Sequence, residues 1–201
     1  MPYAPKLQES ASQTAGPYVH IGCMPNTVGI HGVYDHDLGH EMITGDAQGE
    51  RIKLEAIVYD GSGTPLKDAM VEIWQADANG VYNSPEDGRP SDPHFTGWGR
   101  QHADHDTGVF TFETVKPGAV TYNGVTQAPH VLVWITARGI NLGLATRIYF
   151  DDETEANAAD PFLSRIELKV RVPSLIAKRD GNTYRHEIYL QGDNETIFFD
   201  L

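Results

Sequence analysis

The sequence predicts a mainly β protein, a β-sandwich of short strands with a long irregular N-terminal arm and little helix. Three observations lead there. Apolar residues recur with period two over short runs, the mark of strands with one buried face. Those runs are separated by turn formers, drawn from 20 Gly and 12 Pro together with Asn and Asp. The first fifty residues hold no sustained period. Residues 1–50 therefore read as an arm and 51–201 as the sandwich, one domain in all, and 201 residues are enough for a sizeable core.

Within the arm, Gly16-Pro17 forces a bend, after which Tyr18, Val19 and Ile21 offer apolar anchors for a strand-like segment. Packing on its own domain is the plainest use of such an arm, although an irregular stretch this long is often functional or packs on a partner. His31, His36 and His40 follow, with Gly32, Gly39 and Gly45 arguing against a helix that would align them. They read, like His102 and His105, as solvated loop residues. Residues 51–60 place Ile52, Leu54, Ala56 and Val58 on one face, and Asp60-Gly-Ser-Gly63 turns the chain into the strand at Val71. Residues 83–100 read as a surface excursion. Residues 109–114, 131–137, 145–150, 183–191 and 196–199 complete the strands. Helix is confined to 153–159, capped by Asp152 and ended by Pro161, and to one turn at 174–178.

A formal charge of −13 disfavours non-specific contact with nucleic acid or anionic membrane, since both would repel the chain. The lone Cys23 excludes an internal disulfide and fits a reducing compartment. With no secretory pattern at the start and no apolar run long enough for a bilayer, the expected location is cytoplasmic. There is no Gly-x-Ser-x-Gly elbow, phosphate-cradling glycine loop or Cys-x-x-Cys pair.

Two stretches carry chemistry. Val71-Glu-Ile-Trp-Gln-Ala-Asp-Ala-Asn-Gly-Val-Tyr82 reads as a strand entering a tight turn, with Tyr82 just beyond it. Lys116-Pro-Gly-Ala-Val120, a short loop and Gln127-Ala-Pro-His130-Val-Leu-Val-Trp134 form the other. With Ser12-Gln-Thr-Ala-Gly-Pro-Tyr18 they resemble the intradiol ring-cleavage dioxygenases, in particular the α-type chain of a two-chain member, and the likeness extends to Phe198-Phe199-Asp200. In that family two tyrosines and two histidines hold a ferric ion. Tyr82 falls on the first tyrosine and His130 on the first histidine, while Val120 and Leu132 stand at the other two positions. Gln127 replaces an arginine three residues before the first histidine. Neither Val nor Leu has a lone pair to offer, and His130 and Leu132, two apart on a strand, share a face.

The resemblance thus implies no metal ligand and no catalytic residue in this chain. It implies Fe(III) on a homologous iron-bearing β chain, within a higher-order α/β hetero-oligomer. The implied reaction cleaves 3,4-dihydroxybenzoate (protocatechuate) with O2 to 3-carboxy-cis,cis-muconate. This chain would shape the pocket, with Thr14, Gly16, Pro17, Tyr18 and Arg138 reaching the partner's substrate. Taken without the family, Tyr82 is a half-buried sandwich aromatic and His130 a hydrogen-bonded histidine at a strand start. Arg138, at a strand end beside Gly139, is most commonly a salt-bridge residue, although a guanidinium also matches a carboxylate with two parallel hydrogen bonds. A self-sufficient iron dioxygenase and a transthyretin-like binding sandwich are the two other readings.

Overall fold

The computed structural model describes residues 14–16, 18–141 and 143–200. Helix α1 (Tyr18–Cys23) precedes β1 (Arg51–Tyr59), β2 (Met70–Gln75), β3 (Trp98–His102), β4 (Val109–Val115), β5 (Val120–Tyr122), β6 (Val125–Gln127), β7 (His130–Thr136) and β8 (Leu144–Phe150). Helices α2 (Thr154–Ala159) and α3 (Pro161–Arg165) and a 3-10 helix (Lys169–Leu175) lead to β9 (Ile176–Asp180) and β10 (Thr183–Tyr189). Eight strands form one nearly closed sheet in the order β3-β2-β7-β8-β9-β10-β1-β4. Only Tyr149↔Ile176 and Phe150↔Ala177 join β8 to β9, which then pairs with β10 through residues 178–180. Strand β9 thereby carries the chain from one layer of the sandwich to the other.

The core lies between the layers, as the period-two pattern requires. Ile52, Leu54, Ala56 and Val58 of β1 are buried, and the same cluster holds Val71 and Ile73 of β2 and Val131, Val133 and Ile135 of β7. The turn at 60–63 forms as expected, with Asp60 Oδ1 accepting from the Ser62 and Thr64 amides at 2.8 and 2.9 Å. It closes only a single antiparallel bridge, Tyr59 with Pro65, and does not pair β1 with β2. Strand β1 pairs with β10 and β4, whereas β2 pairs with β3 and β7. Placed in opposite layers, the two strands turn their apolar sides to one shared core.

Other expectations need correction. Residues 18–23 are a helix rather than strand-like; Val19 N closes its first turn onto Gly16 O at 3.0 Å. The supposed surface excursion ends in β3, whose inward residues are Gly99 and Gln101 and so show no apolar period. Gly99 makes room for Met42: a Cβ there would stand 2.7 Å from its sulfur. The short loop after Val120 is a β5–β6 hairpin turning at Asn123-Gly124, both with positive φ. Asp152 caps no helix, because its Oδ2 accepts from Lys116 Nζ, Arg179 Nη1 and Tyr184 OH, each at 2.8 Å. Pro161 ends α2 but also starts α3, a first-turn position that spares its missing N–H. Residues 176–178 are strand rather than helix, and 196–199 contribute only a bridge from Phe199 to Ala145. Among the described residues no helix is long and apolar enough to cross a membrane.

Candidate functional site

The two motif stretches meet backbone to backbone. Gln75, wholly buried at the end of β2, ties the layers together: Nε2 donates to Val115 O and Oε1 accepts from Thr114 Oγ1, both at 2.9 Å. Asp77 builds the following turn, its Oδ1 accepting from Asn79 N (2.9 Å) and Val81 N (3.0 Å). Gly118 N then donates to Asp77 O at 2.9 Å, an approach so close that a Cβ on Gly118 would stand 2.5 Å from Ala78 O. Asn79-Gly80 and Lys116-Pro-Gly118 are therefore two halves of one contact, and that contact sets Tyr82 and Val120 at the mouth of β7.

There Tyr82 OH lies 3.3 Å from His130 Nε2. His130 Nδ1 donates to Ala128 O at 2.7 Å, which fixes the tautomer and leaves Nε2 to accept from the tyrosine. Burial pushes the His130 pKa down to about 4, helped by the Arg147 guanidinium, and burial raises that of Tyr82 against the pull of the same arginine. Both are neutral near pH 7. Register sets Leu132 opposite Arg147 and His130 opposite Tyr149. Arg147 Nη1 donates to Gln127 Oε1 at 3.0 Å, and its guanidinium stacks 3.8 Å from the Phe162 ring centre. Asp160 secures the floor, accepting from Phe162 N, Leu163 N and Tyr149 OH on Oδ1 and from Ala128 N on Oδ2.

This donor set does not suit an iron ion. Tyr82 and His130 are engaged with each other, Val120 and Leu132 bring no lone pair, and a guanidinium already supplies positive charge beside them. Among the described residues no group of three or more His, Cys, Asp or Glu could hold a metal.

The other end of β7 is wet and charged. Arg138 Nε donates to Asp68 Oδ2 at 2.8 Å, with the two side chains 72% and 49% exposed. Thr14 Oγ1 accepts from Gly139 N at 2.9 Å, so the structure brings the arm and the arginine turn together. Gly16 is open to solvent, Tyr18 is 81% exposed at the start of α1, and Pro17 lies outside the described residues. A cavity of about 720 Å³ beside Arg138 is lined also by His20, Lys67, Asp68, His102 and His105. Sequence reasoning missed Asp68, Lys67 and Arg147. Of these only Arg147 left a signal, an arginine inside an otherwise apolar strand. His130 opens β7 and Arg138 lies two residues past its end, so the strand between them alone spans about 20 Å.

A two-layer β-sandwich with a tyrosine–histidine pair at one end of a central strand is the class that fold and site define. Comparison with known proteins matches residues 25–192 to the family described as Dioxygenase. The protocatechuate 3,4-dioxygenase alpha chain of Pseudomonas putida is 47% identical over 200 residues, covering 97% of this chain and 98% of the relative. The beta chain of the same activity from Burkholderia cepacia is 30% identical over 82% of this chain and 75% of its own length. Among solved structures, an intradiol ring-cleavage dioxygenase from Tetranychus urticae aligns with a TM-score of 0.57 at 23% identity, over 82% of this chain and 94% of that one. This chain belongs to the intradiol ring-cleavage dioxygenase family, whose members are non-haem Fe(III) oxidoreductases.

Proposed function

We propose that this chain is the iron-free α subunit of a cytoplasmic protocatechuate 3,4-dioxygenase, and that a homologous β chain carries the Fe(III). The complex opens 3,4-dihydroxybenzoate with O2 between its two hydroxylated carbons, giving 3-carboxy-cis,cis-muconate. In this reading Arg138 binds the substrate carboxylate, Thr14 anchors the arm beside it, and Gly16, Pro17 and Tyr18 wall the pocket. The observation that carries it is the separation along β7. Six strand steps, about 20 Å, separate His130 from Thr136, and Arg138 lies two residues further on, too far to serve a substrate at the Tyr82–His130 pair, so an anion held by Arg138 belongs to a centre on another chain. The arm supports the same partner. Seven of the twelve exposed large hydrophobic side chains of the described residues (Tyr18, Ile21, Val28, Ile30, Val33, Tyr34 and Leu38) lie within residues 18–38.

Co-expression with the β chain tests the proposal. The expected result is a hetero-oligomer with iron in proportion to β alone and oxygen uptake on protocatechuate, while this chain purified alone is iron-free. Stoichiometric iron on the single chain, lost with Tyr82→Phe, would overturn it. A stable monomer whose arm is already protected from hydrogen exchange would remove the need for a partner.

A further inference from the structure

We propose that the outer face of the β3-β2-β7-β8 layer holds a second site, centred on Arg147, for a small monocyclic aromatic carboxylate. All three tryptophans of the chain stand on this face, placed there by register: Trp74 opposes both Trp98 and Leu132, and Trp134 opposes Glu72 and Ala145. With Leu132, Arg147 and Phe199 they line a recess of about 170 Å³, close to the volume that houses one benzene ring. Trp74 and Trp98 are half-buried, so the surface is concave, and the Trp134 indole packs directly on Gly143, where any side chain would collide with it.

Arg147 supplies the charge. It is only 9% exposed and makes no ion pair among the described residues. Both of its hydrogen bonds, to Gln127 Oε1 and Tyr149 OH, leave from Nη1, so Nε and Nη2 have no partner there. The nearby carboxylates are already served: Asp160 by three backbone N–H groups and the Tyr149 hydroxyl, Glu72 by Arg100 through Nε at 3.0 Å and Nη2 at 2.9 Å. A buried guanidinium without a counter-ion is costly. A ligand carboxylate on Nε and Nη2, with its ring among the tryptophans, answers both the charge and the apolar walls. Leu132, where the iron-bearing chains of the family have histidine, keeps the floor of the recess apolar.

The site stands independently of the role proposed for Arg138, and benzoate, which has a carboxylate and no catechol hydroxyls, is the probe. Tryptophan fluorescence of the assembled complex should respond to benzoate saturably, and to uncharged benzamide at least tenfold more weakly. Arg147→Met should weaken benzoate about tenfold to a hundredfold. In crystals soaked with 4-iodobenzoate, anomalous scattering should place iodine in the recess. Equal responses to benzoate and benzamide, an unchanged response in Arg147→Met, or iodine found only elsewhere would each overturn the proposal. So would tryptophans shielded from acrylamide in the complex with no response to benzoate, which would make this face a protein interface. Failure of the Arg138 reading would show instead in turnover, a separate measurement.

Discussion

At one end of β7, His130 is buried beneath a half-buried Tyr82, each using the other as its hydrogen-bond partner, both held neutral by burial. At the other end Arg138 is largely in water, tied to one exposed aspartate and lining an open cavity. The end that holds Tyr82 and His130 is largely desolvated, and the end that holds Arg138 is exposed. Solvation makes the difference. A desolvated pair can add stability but has no free valence for a metal, whereas a hydrated guanidinium has small ion-pair energy to lose and can be recruited when an interface dries it.

The comparison is tested most strongly by pH. His130 and the fully buried His186 have folded-state pKa values of about 4 against an ordinary 6.5. Between those values the unfolded chain binds protons that the folded chain refuses. Stability is therefore full above pH 6.5 and falls as pH drops towards 4, by up to about 3 kcal/mol for each histidine. Carboxylates such as Asp152, held near 2, act only below their ordinary 3.8, so the histidine window stands apart. Urea unfolding at a series of pH values should show the slope, and His130→Gln should remove about half of it. A flat profile from 6.5 to 4 would mean that the pocket is wet.

The next effect belongs to the wet end. In the reconstituted complex Arg138→Ala should cost about 1.5 to 3 kcal/mol in kcat/KM for protocatechuate, tenfold to a hundredfold, and leave plain catechol nearly unchanged. Arg138→Lys should restore only part, because an ammonium keeps the charge without the planar two-point contact. Equal loss on both substrates would reduce Arg138 to a structural residue. Back at the dry end, Tyr82→Phe leaves His130 Nε2 without its donor. It should cost about 1 kcal/mol, or 2–4 °C in Tm for a chain of this size, with turnover of the complex intact. Thr14→Val removes an exposed acceptor of Gly139 N and should shift KM by a factor of about two, roughly 0.5 kcal/mol, without lowering Tm.

Period and punctuation made most of the strands legible, because each strand has one buried face and its apolar residues must alternate. Strand β3 was illegible for a physical reason: its inward positions are a glycine that admits Met42 and a glutamine that reaches the His40 carbonyl at 3.0 Å, so no apolar rhythm exists to be read. The absence of donors at 120 and 132 was equally plain from the sequence, since Val and Leu cannot ligate a metal in any fold. So was a carboxylate-matching side chain at 138, as a possibility of its chemistry.

What those residues face was decided by tertiary structure alone. The sequence determined that β1 and β2 each have an apolar side and a turn between them; pairing in opposite layers emerged only when both sides had to cover one core. It determined that a tyrosine and a histidine survive from a ligand set, but their mutual hydrogen bond, and the guanidinium of Arg147 beside them, depend on register across β7 and β8. A strand's pattern specifies which face is buried, whereas its neighbours are chosen by long-range pairing, and it is the neighbours that turn a side chain into a site.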